Sequence, residues 1–267
     1  MPEGPECTIQ AEGLNDICQN RVLTNVEVLS GRYTRTPIAN LDKITNQKII
    51  KISNKGKFIY WVFDNGFNLF STLGMSGVYL TTQGTHSRVR FTLDKNLDVW
   101  YNDVRNFGTM KVATQAELAQ KLSEIGPDML NSPCSYNEFD RIFSNKRIAN
   151  KNLACFLLDQ KRLSGIGNIY KSEICYRAAV NPSRTLSSFS EAEKLRIYSN
   201  IPIVLKLAYA AKGSSQKDFK NVDGEDGRFL NAHAQVYRKT QDPLGNPVLQ
   251  AELGDGRTTW WVPEVQK

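Results

Sequence analysis

Hydrophobic and polar positions alternate in different ways along this chain. From about Glu6 to Gln19, apolar side chains recur three or four positions apart, which predicts one short amphipathic helix. From Val22 to about Val112, short runs rich in Val, Ile, Tyr, Phe and Trp are separated by turn signals such as Asp64-Asn65-Gly66. We interpret this region as an antiparallel sandwich or barrel of about seven or eight strands.

The second half of the chain has a longer hydrophobic period. A short helix is predicted at Gln115 to Ser123, and Gly126-Pro127-Asp128 is typical of a linker. Four further helices are predicted, with Ser190 and Glu193 as an N-cap pair for the last of them. Their ranges are Tyr136 to Phe143, Lys151 to Gln160, Gly167 to Ala178 and Ser190 to Ala211.

The end of the chain is predicted to close as a small hairpin. Residues Gly213 to Gly227 are polar and rich in glycine, and we expect a mobile loop there. Beyond them, Ala234 to Lys239 and Arg257 to Val262 are predicted as two strands joined by a turn around Asp242 to Asp255. The fold class is therefore α+β multidomain: an N-terminal antiparallel β-sandwich with an N-terminal helix (residues 1–125), a helical domain (126–233) and a β-hairpin (234–267).

Charge and composition narrow the function classes. The 267 residues carry 34 Lys and Arg against 27 Asp and Glu, and this net charge of +7 favours a polyanionic partner. No stretch is apolar enough for a membrane span and no leader pattern is present, so we expect a soluble, intracellular protein with no membrane partner. Histidines His86 and His233 are the only two, and no carboxylate cluster has ligand spacing, which argues against a metal-dependent nuclease.

The five cysteines show no metal-binding pattern. They are scattered, odd in number and never form a Cys-x-x-Cys pair, so we expect small buried hydrophobes with reduced thiols. They are Cys7, Cys18, Cys134, Cys155 and Cys175.

Six segments in the same order along nearly the whole chain resemble one enzyme family. The opening Met1-Pro2-Glu3-Gly4-Pro5-Glu6, taken alone, is ordinary helix-capping chemistry. The others are Lys55-Gly56-Lys57, Gly74-Met75-Ser76-Gly77, Asp103-Val104-Arg105-Asn106-Phe107-Gly108, Gly165-Ile166-Gly167-Asn168-Ile169-Tyr170 and Gly256-Arg257-Thr258-Thr259. Together they resemble the formamidopyrimidine-DNA glycosylase / endonuclease VIII family, whose members repair DNA by base excision.

The resemblance implies a bifunctional DNA glycosylase and AP lyase. Removal of Met1 would expose the secondary amine of Pro2, whose pKa is expected at about 7.7 to 8.0, so a useful fraction is neutral. Its attack on the sugar C1′ would expel an oxidised base and form a Schiff base, and β,δ-elimination would then cut the strand. Glu3 would act as general acid and Lys57 would complete the catalytic set.

The remaining family residues imply contacts with DNA. Lys57, Asn168 and Arg257 would hold phosphates on both sides of the flipped nucleotide, with Asn168 in a helix–two-turns–helix (H2TH) element. Met75, Arg105 and Phe107 match the family's void-filling residues. Glu6 resembles a lesion-pocket residue, although a solvated helix face is nearly as common for such a residue.

One departure concerns the C-terminal finger. Most members carry four zinc-binding cysteines there, whereas this chain has no cysteine after Cys175. The segment resembles the zincless finger of endonuclease VIII-like 1 enzymes, and we expect apolar packing by Trp260, Trp261 and Val262 to hold it. We expect no metal and no cofactor.

The opening and the void-filling residues also resemble the endonuclease VIII branch, which indicates oxidised pyrimidines and hydantoins as preferred bases. A preference for 8-oxoguanine or formamidopyrimidines and a non-catalytic damaged-DNA-binding relative are the alternatives. The expected partner is double- or single-stranded DNA with oxidised bases or abasic sites, bound by a monomer. Within the three domains, catalysis would lie in residues 1–125 and H2TH binding in 126–233.

Overall fold

The computed structural model describes residues 1–214 and 219–267, and these form two compact units. The first unit comprises Met1–Glu124 with Ala211–Arg228, and the second comprises Ile125–Ala210 with Phe229–Lys267. Part of the predicted loop Gly213 to Gly227, residues 215–218, lies outside the described residues.

The segment 211–228 packs with the β-sheet unit, whereas the sequence analysis placed it in the helical domain. Its backbone is held there by hydrogen bonds. The Gln10 side chain donates to the carbonyl of Lys220 at 2.7 Å, and the Thr81 N–H donates to the carbonyl of Val222 at 3.0 Å. These partners are far away in sequence, so the local pattern of polar residues and glycines could not indicate them.

Helix α1 spans Gly4–Cys18 and confirms the predicted N-terminal helix. It begins two residues earlier than predicted because Pro5 occupies the first turn, where a missing N–H costs nothing. The apolar stripe of Cys7, Ala11, Leu14 and Cys18 is almost completely buried in the core of the first unit.

Eight strands follow in the described part of this unit, which agrees with the seven or eight strands predicted from the sequence. They are β1 Val22–Val28, β2 Gln47–Lys55, β3 Phe58–Phe63, β4 Phe67–Thr72, β5 Gly77–Leu80, β6 Ser87–Leu93, β7 Leu97–Asp103 and β8 Thr109–Thr114. Their antiparallel order is β5-β7-β6-β1-β2-β3-β4-β8. Helix α2, Gln115–Glu124, comes directly after β8.

The sheet is sandwich-like because its two halves, β5-β7-β6-β1 and β2-β3-β4-β8, are connected by only a few paired residues and pack against the same core. β1 and β2 pair only at Val22↔Lys48 and Leu23↔Gln47. Trp61 of β3 lies 5.1 Å from Phe91 of β6 and 5.8 Å from Tyr79 of β5, measured between ring centroids. Aromatic contacts of this kind, between rings from the two halves, fill the core.

The second unit is mainly helical, as predicted. Its helices are α3 Tyr136–Phe143, α4 Leu153–Leu158, α5 Asn168–Arg177, α6 Glu191–Ala210 and the short α7 Phe229–Ala232. The predicted N-cap pair of α6 is confirmed: the Ser190 N–H donates to Glu193 Oε2 at 2.7 Å, and the Glu193 N–H donates back to Ser190 Oγ at 3.4 Å. No helix of the described residues is long and apolar enough to cross a membrane.

The C-terminal hairpin exists, but its first strand was predicted in the wrong place. The strands are β9 Leu249–Glu252 and β10 Thr258–Trp261. Residues 234–239 form no strand because the N–H groups of residues 235, 236 and 237 donate to the carboxylate of Glu173, at 2.8 to 3.0 Å. Burial raises the pKa of the Glu173 carboxyl, and the three N–H donors oppose that shift.

All five cysteines are free thiols, four of them buried and Cys155 half-buried. Burial raises the pKa of Cys18 and of Cys175 to about 12, so these two thiols stay protonated at neutral pH.

Candidate active site

The N-terminal end of α1 holds the predicted nucleophile position and two carboxylates: Pro2 and the N-cap residue Glu3 precede the helix, and Glu6 lies in its first turn. Pro2, Glu3 and Glu6 are all buried. Glu6 is more than a solvated helix charge: its Oε2 accepts from the Glu3 N–H at 2.8 Å and its Oε1 accepts from the Ser214 N–H at 2.7 Å. Glu6 therefore ties the N-terminal turn to the segment that follows α6.

The turn that carries Lys57 packs against this same part of α1. Cys7 Sγ contacts the carbonyl of Lys57 at 3.7 Å, and the Asn54 amide donates to Thr8 Oγ1 at 3.0 Å. Gly56 has a φ of +56°, the left-handed conformation that lets β2 turn into β3 within two residues. The structure thus brings the Lys57 turn next to the N-terminal end of α1, where Glu3 and Glu6 lie.

The two lysines of this turn have different surroundings. Lys55 Nζ donates to the carbonyl of Leu122 in α2 at 2.8 Å, so its ammonium stabilises the packing of α2. The backbone carbonyl of Lys57 contacts Cys7 Sγ of α1, and its side chain, like that of Lys55, is half-buried. Lys55 is thus tied to α2 through its ammonium, and the backbone of Lys57 lies against α1.

The three predicted void-filling residues lie on two adjoining turns. Met75 is half-buried, Arg105 is exposed, and Phe107 is 59% exposed although it is a large apolar side chain. Arg105 Nη1 donates to Met75 Sδ at 3.6 Å. A Cβ at Gly74 would lie 2.8 Å from the backbone of Phe107, so only glycine allows this approach. We name these turns, residues 74–76 and 103–108, the tip turns.

Asp103 connects the two tip turns through hydrogen bonds to its carboxylate, and no role was predicted for it from the sequence. It is 1% exposed, and its carboxylate accepts from Ser76 Oγ at 2.6 Å and from the Gly108 N–H at 2.8 Å. Ser76 Oγ in turn accepts from the Arg105 N–H at 2.8 Å. The only signal in the sequence was the position of Asp103 at the start of the segment 103–108.

In the second unit, Asn168 is the first residue of α5, as the H2TH resemblance implied. The turn before it is held by Gln160, whose amide accepts from the Gly165 N–H at 3.0 Å and donates to the carbonyl of Ile166 at 2.9 Å. Asn168 Nδ2 donates to the carbonyl of Thr258 at 2.9 Å, which brings it next to Arg257. Its Oδ1 is buried with no hydrogen-bond partner among the described residues.

Arg257 lies on the exposed tip of the hairpin, and a buried ion pair fixes the backbone beside it. Lys171 of α5 is fully buried, and its Nζ lies 2.5 Å from Asp255 Oδ2 and 2.8 Å from Thr259 Oγ1. The other oxygen of Asp255 accepts from the Arg257 N–H at 3.0 Å. Lys171 and Asp255 were missed by the sequence analysis because a buried lysine has no distinctive local pattern.

The base of the hairpin is partly apolar, as expected. Val262 is fully buried with Val236 and Tyr176, and Trp260 packs against this cluster with its ring 4.4 Å from that of Tyr237. Trp261 is half-buried and lies outside the cluster. Residues 234–267 contain no cysteine, and among the described residues no three His, Cys, Asp or Glu side chains are placed to hold a metal ion, so a structural zinc does not fit this segment.

Three family models match the chain in succession. They are the N-terminal domain of formamidopyrimidine-DNA glycosylase at residues 1–110, its H2TH domain at 125–220 and its C-terminal domain at 221–267. The formamidopyrimidine-DNA glycosylase of Wolbachia pipientis wMel is 30% identical over 275 residues, covering 100% of both chains. The chain belongs to the formamidopyrimidine-DNA glycosylase family.

Solved structures of this family share the fold. The MutM (Fpg) protein of Thermus thermophilus is 26% identical, with a TM-score of 0.88 over 99% of this chain and 98% of that one. A Lactococcus lactis Fpg crystallised with DNA containing an oxidised pyrimidine is 24% identical, with a TM-score of 0.85 over 100% of both chains. The family membership confirms the predicted class: the chain is a DNA glycosylase with AP-lyase activity in base excision repair of oxidised bases.

Proposed function

We propose that the amine of Pro2, exposed by removal of Met1, is the nucleophile that attacks C1′ of a damaged nucleotide. A secondary amine forms an iminium that carries a permanent positive charge and acts as an electron sink. The iminium acidifies the C2′ hydrogen, so that elimination of the 3′ phosphate, and then of the 5′ phosphate, follows. One observation carries this proposal: the buried turn of Pro2, Glu3 and Glu6 packs against the turn of Lys57.

Glu3 and Lys57 have separate roles in this proposal. Glu3, adjacent to the nucleophile and 1% exposed, would protonate the sugar ring oxygen as the base leaves. Lys57 would bind a phosphate beside the lesion, where its ammonium also favours the neutral form of a nearby amine. Glu6, whose two oxygens accept backbone N–H groups, would position the N-terminal turn and line the lesion pocket.

The DNA backbone would be held by Asn168 and Arg257 together with Lys57. Arg257 offers a guanidinium fork on an exposed hairpin tip, and Asn168 lies at the start of a ten-residue helix, where N–H groups favour an anion. Met75, Arg105 and Phe107 would fill the space left by the flipped nucleotide, which explains why an exposed Phe107 is tolerated. The finger that carries Arg257 would work without zinc.

Borohydride trapping on a lesion-containing duplex tests the nucleophile. Borohydride reduces the Schiff base to a stable amine, so the native protein should form a covalent adduct. Pro2→Gly, whose primary amine gives an imine without a permanent positive charge, should form much less of it. Lys57→Ala, as the matched variant, should weaken binding and slow the reaction but still give an adduct when DNA is saturating. Trapping that survives Pro2→Gly and disappears in Lys57→Ala would move the nucleophile to the lysine.

For the base preference, we propose oxidised pyrimidines and hydantoins over 8-oxoguanine. The opening Met1-Pro2-Glu3-Gly4 and the complete set Met75, Arg105 and Phe107 support this choice. The names of the curated relatives favour the other candidate, a formamidopyrimidine preference. Single-turnover excision from duplexes containing thymine glycol, a hydantoin, 8-oxoguanine or a formamidopyrimidine separates the two, because the preferred base should react fastest in the same sequence context.

The site of action follows from this substrate. We propose that the protein works inside the cell as a monomer, with damaged DNA as its partner and with no cofactor. Catalysis would be contributed by residues 1–125, and backbone binding by the H2TH element and the hairpin together with Lys57.

A further inference from the structure

A cavity of about 500 Å³ adjoins the tip turns, and the proposed chemistry does not use it. It is lined by Gly31, Arg32, Thr34, Arg35, Thr36 and Asn106. The lining contains two guanidinium groups and two hydroxyl groups but no carboxylate. Arg32 and Arg35 are both exposed, and neither forms an ion pair with any of the described residues. Such a lining is suited to the oxygens of a phosphate group.

The cavity is built against the tip turns. Asn106, which lies between Arg105 and Phe107 in the chain, is one of its walls. Gly31 approaches Asn106 so closely that an added Cβ would lie 2.7 Å from Asn106 Oδ1. In addition, Arg32 Nη1 donates to the carbonyl of Gly108 at 3.4 Å. A group bound in the cavity would therefore lie beside the side chains that are proposed to enter the DNA stack.

Strand pairing shows where the tip turns lie relative to Lys57. Phe58, the residue after Lys57, pairs with Thr72 of β4, and Thr72 pairs with Thr109 of β8. Adjacent strands are about 4.8 Å apart, so Thr109 lies roughly 10 Å from Phe58. Gly108 precedes Thr109 and contacts Arg32. Along this series of contacts, the tip turns lie between Lys57 and the cavity.

Lys57 and the cavity thus lie on opposite sides of the tip turns, as the two sugar-phosphate backbones of a duplex lie on opposite sides of the base stack. Side chains inserted into a base stack have one sugar-phosphate backbone on each side. Lys57, which packs beside the Pro2 turn, would bind the strand that carries the lesion. We propose that the cavity of Arg32, Arg35 and Asn106 binds a backbone phosphate of the undamaged strand and makes the protein prefer duplex DNA over single-stranded DNA. This inference rests on the proposed function, because it assumes that the tip turns enter damaged DNA.

Fluorescence anisotropy with an uncleavable abasic-site analogue, tetrahydrofuran, tests the proposal. The same labelled strand is used alone and annealed to its complement. The double variant Arg32→Ala/Arg35→Ala should weaken duplex binding by about tenfold and leave single-strand binding within about twofold of native. For duplex DNA, the slope of log affinity against log salt concentration should also be smaller in magnitude by about two. Each lost phosphate contact lowers the magnitude of this slope by about 0.9.

Two further variants control for charge and for folding. Arg141→Ala/Lys146→Ala removes two exposed cations from the helical unit and should not change the ratio of duplex to single-strand affinity. Arg35→Glu should weaken duplex binding more strongly than Arg35→Ala. Since the Arg35 side chain has no hydrogen bond or ion pair with the described residues, both single variants should fold as the native protein does.

The outcomes are distinguishable from a failure of the proposed chemistry. Equal weakening on both forms of DNA, or unchanged duplex binding, would overturn the proposal. Tetrahydrofuran carries no base to excise, so the binding comparison is valid whether or not Pro2 is the nucleophile. Loss of trapping in Pro2→Gly reports on the chemistry alone.

Discussion

At the scale of single residues, the tip turns depend on one buried carboxylate. Asp103 accepts hydrogen bonds from Ser76 and Gly108, which lie on different turns, and so it fixes the spacing between the side chains above it. Hydrogen bonds to a charged group contribute about 1.5 to 3 kcal/mol, and a buried donor left without an acceptor costs a similar amount. A neutral residue of the same size should therefore loosen both turns.

We expect Asp103→Asn to lower the free energy of unfolding by about 2 kcal/mol, because an amide offers one acceptor where the carboxylate offered two. Binding to a lesion-containing duplex should also weaken, because the turns that carry Met75, Arg105 and Phe107 lose the hydrogen bonds that hold them together. Urea denaturation and anisotropy measure the two effects. Asp98→Asn is the matched control on a partly exposed ion pair with Arg90 and should cost less than about 1 kcal/mol. Native stability in Asp103→Asn would contradict this role.

The same residues show what the sequence could indicate and what it could not. Gly74 and Gly108 were noted in the sequence only as parts of two of the segments that resemble the family. The structure shows why glycine is required at position 108: a Cβ there would overlap the hydroxyl of Tyr101 on β7. A Cβ at Gly77 would overlap the same hydroxyl. Packing between residues that are distant in the chain sets this requirement, so no local pattern contains it.

At the scale of elements, α5 positions the hairpin through Lys171. Breaking a buried ion pair by removing one partner costs about 3 to 5 kcal/mol, because the other charge stays buried without compensation. Lys171→Met should therefore lower the free energy of unfolding by about 3 kcal/mol and leave the hairpin tip less ordered. DNA binding should weaken because Arg257 lies beside Asp255 on that tip.

A double-mutant cycle separates positioning from general damage. If Lys171 acts on DNA only through Arg257, then Lys171→Met should weaken binding no further when Arg257→Ala is already present. Anisotropy well below the melting temperature of each variant gives the four affinities. Lys161→Met, which removes an exposed lysine from the turn before α5, is the charge control. Additive losses from Lys171→Met and Arg257→Ala would show that Lys171 affects DNA by another route.

Elements with a strong local period were predicted well, and those fixed by distant side chains were not. Helix α3 lies where its apolar spacing placed it, at Tyr136–Phe143, and the cap of α6 was visible in Ser190 and Glu193. The first hairpin strand was misplaced because residues 234–239 look like a strand in isolation. The carboxylate of Glu173, about sixty positions earlier, takes the N–H groups that a strand would have paired.

At the scale of the whole molecule, composition indicated the kind of partner but not the division of the chain. The net charge of +7 favoured a polyanion, and the family is one of DNA repair enzymes. The sequence did not predict that residues 211–228 belong to the first unit, because this assignment depends on contacts of Gln10 and Thr81 with that segment. Glu6 also contacts this segment, at Ser214, so a residue predicted as either a lesion-pocket residue or a solvated helix charge connects distant parts of the chain.

The molecule should keep its fold and activity when zinc is removed. Carboxylates hold the backbone of the C-terminal segment: Glu173 accepts from the N–H groups of residues 235–237, and Asp242 accepts from those of Leu244 and Asn246. Phenanthroline or EDTA should leave the melting temperature and borohydride trapping unchanged, and the purified protein should contain no stoichiometric zinc. Glu173→Ala, the positive control, should lower the free energy of unfolding by about 3 kcal/mol because three buried donors lose their acceptor. A melting temperature that falls with chelator and recovers with added zinc would show that a metal, rather than these carboxylates, holds the finger.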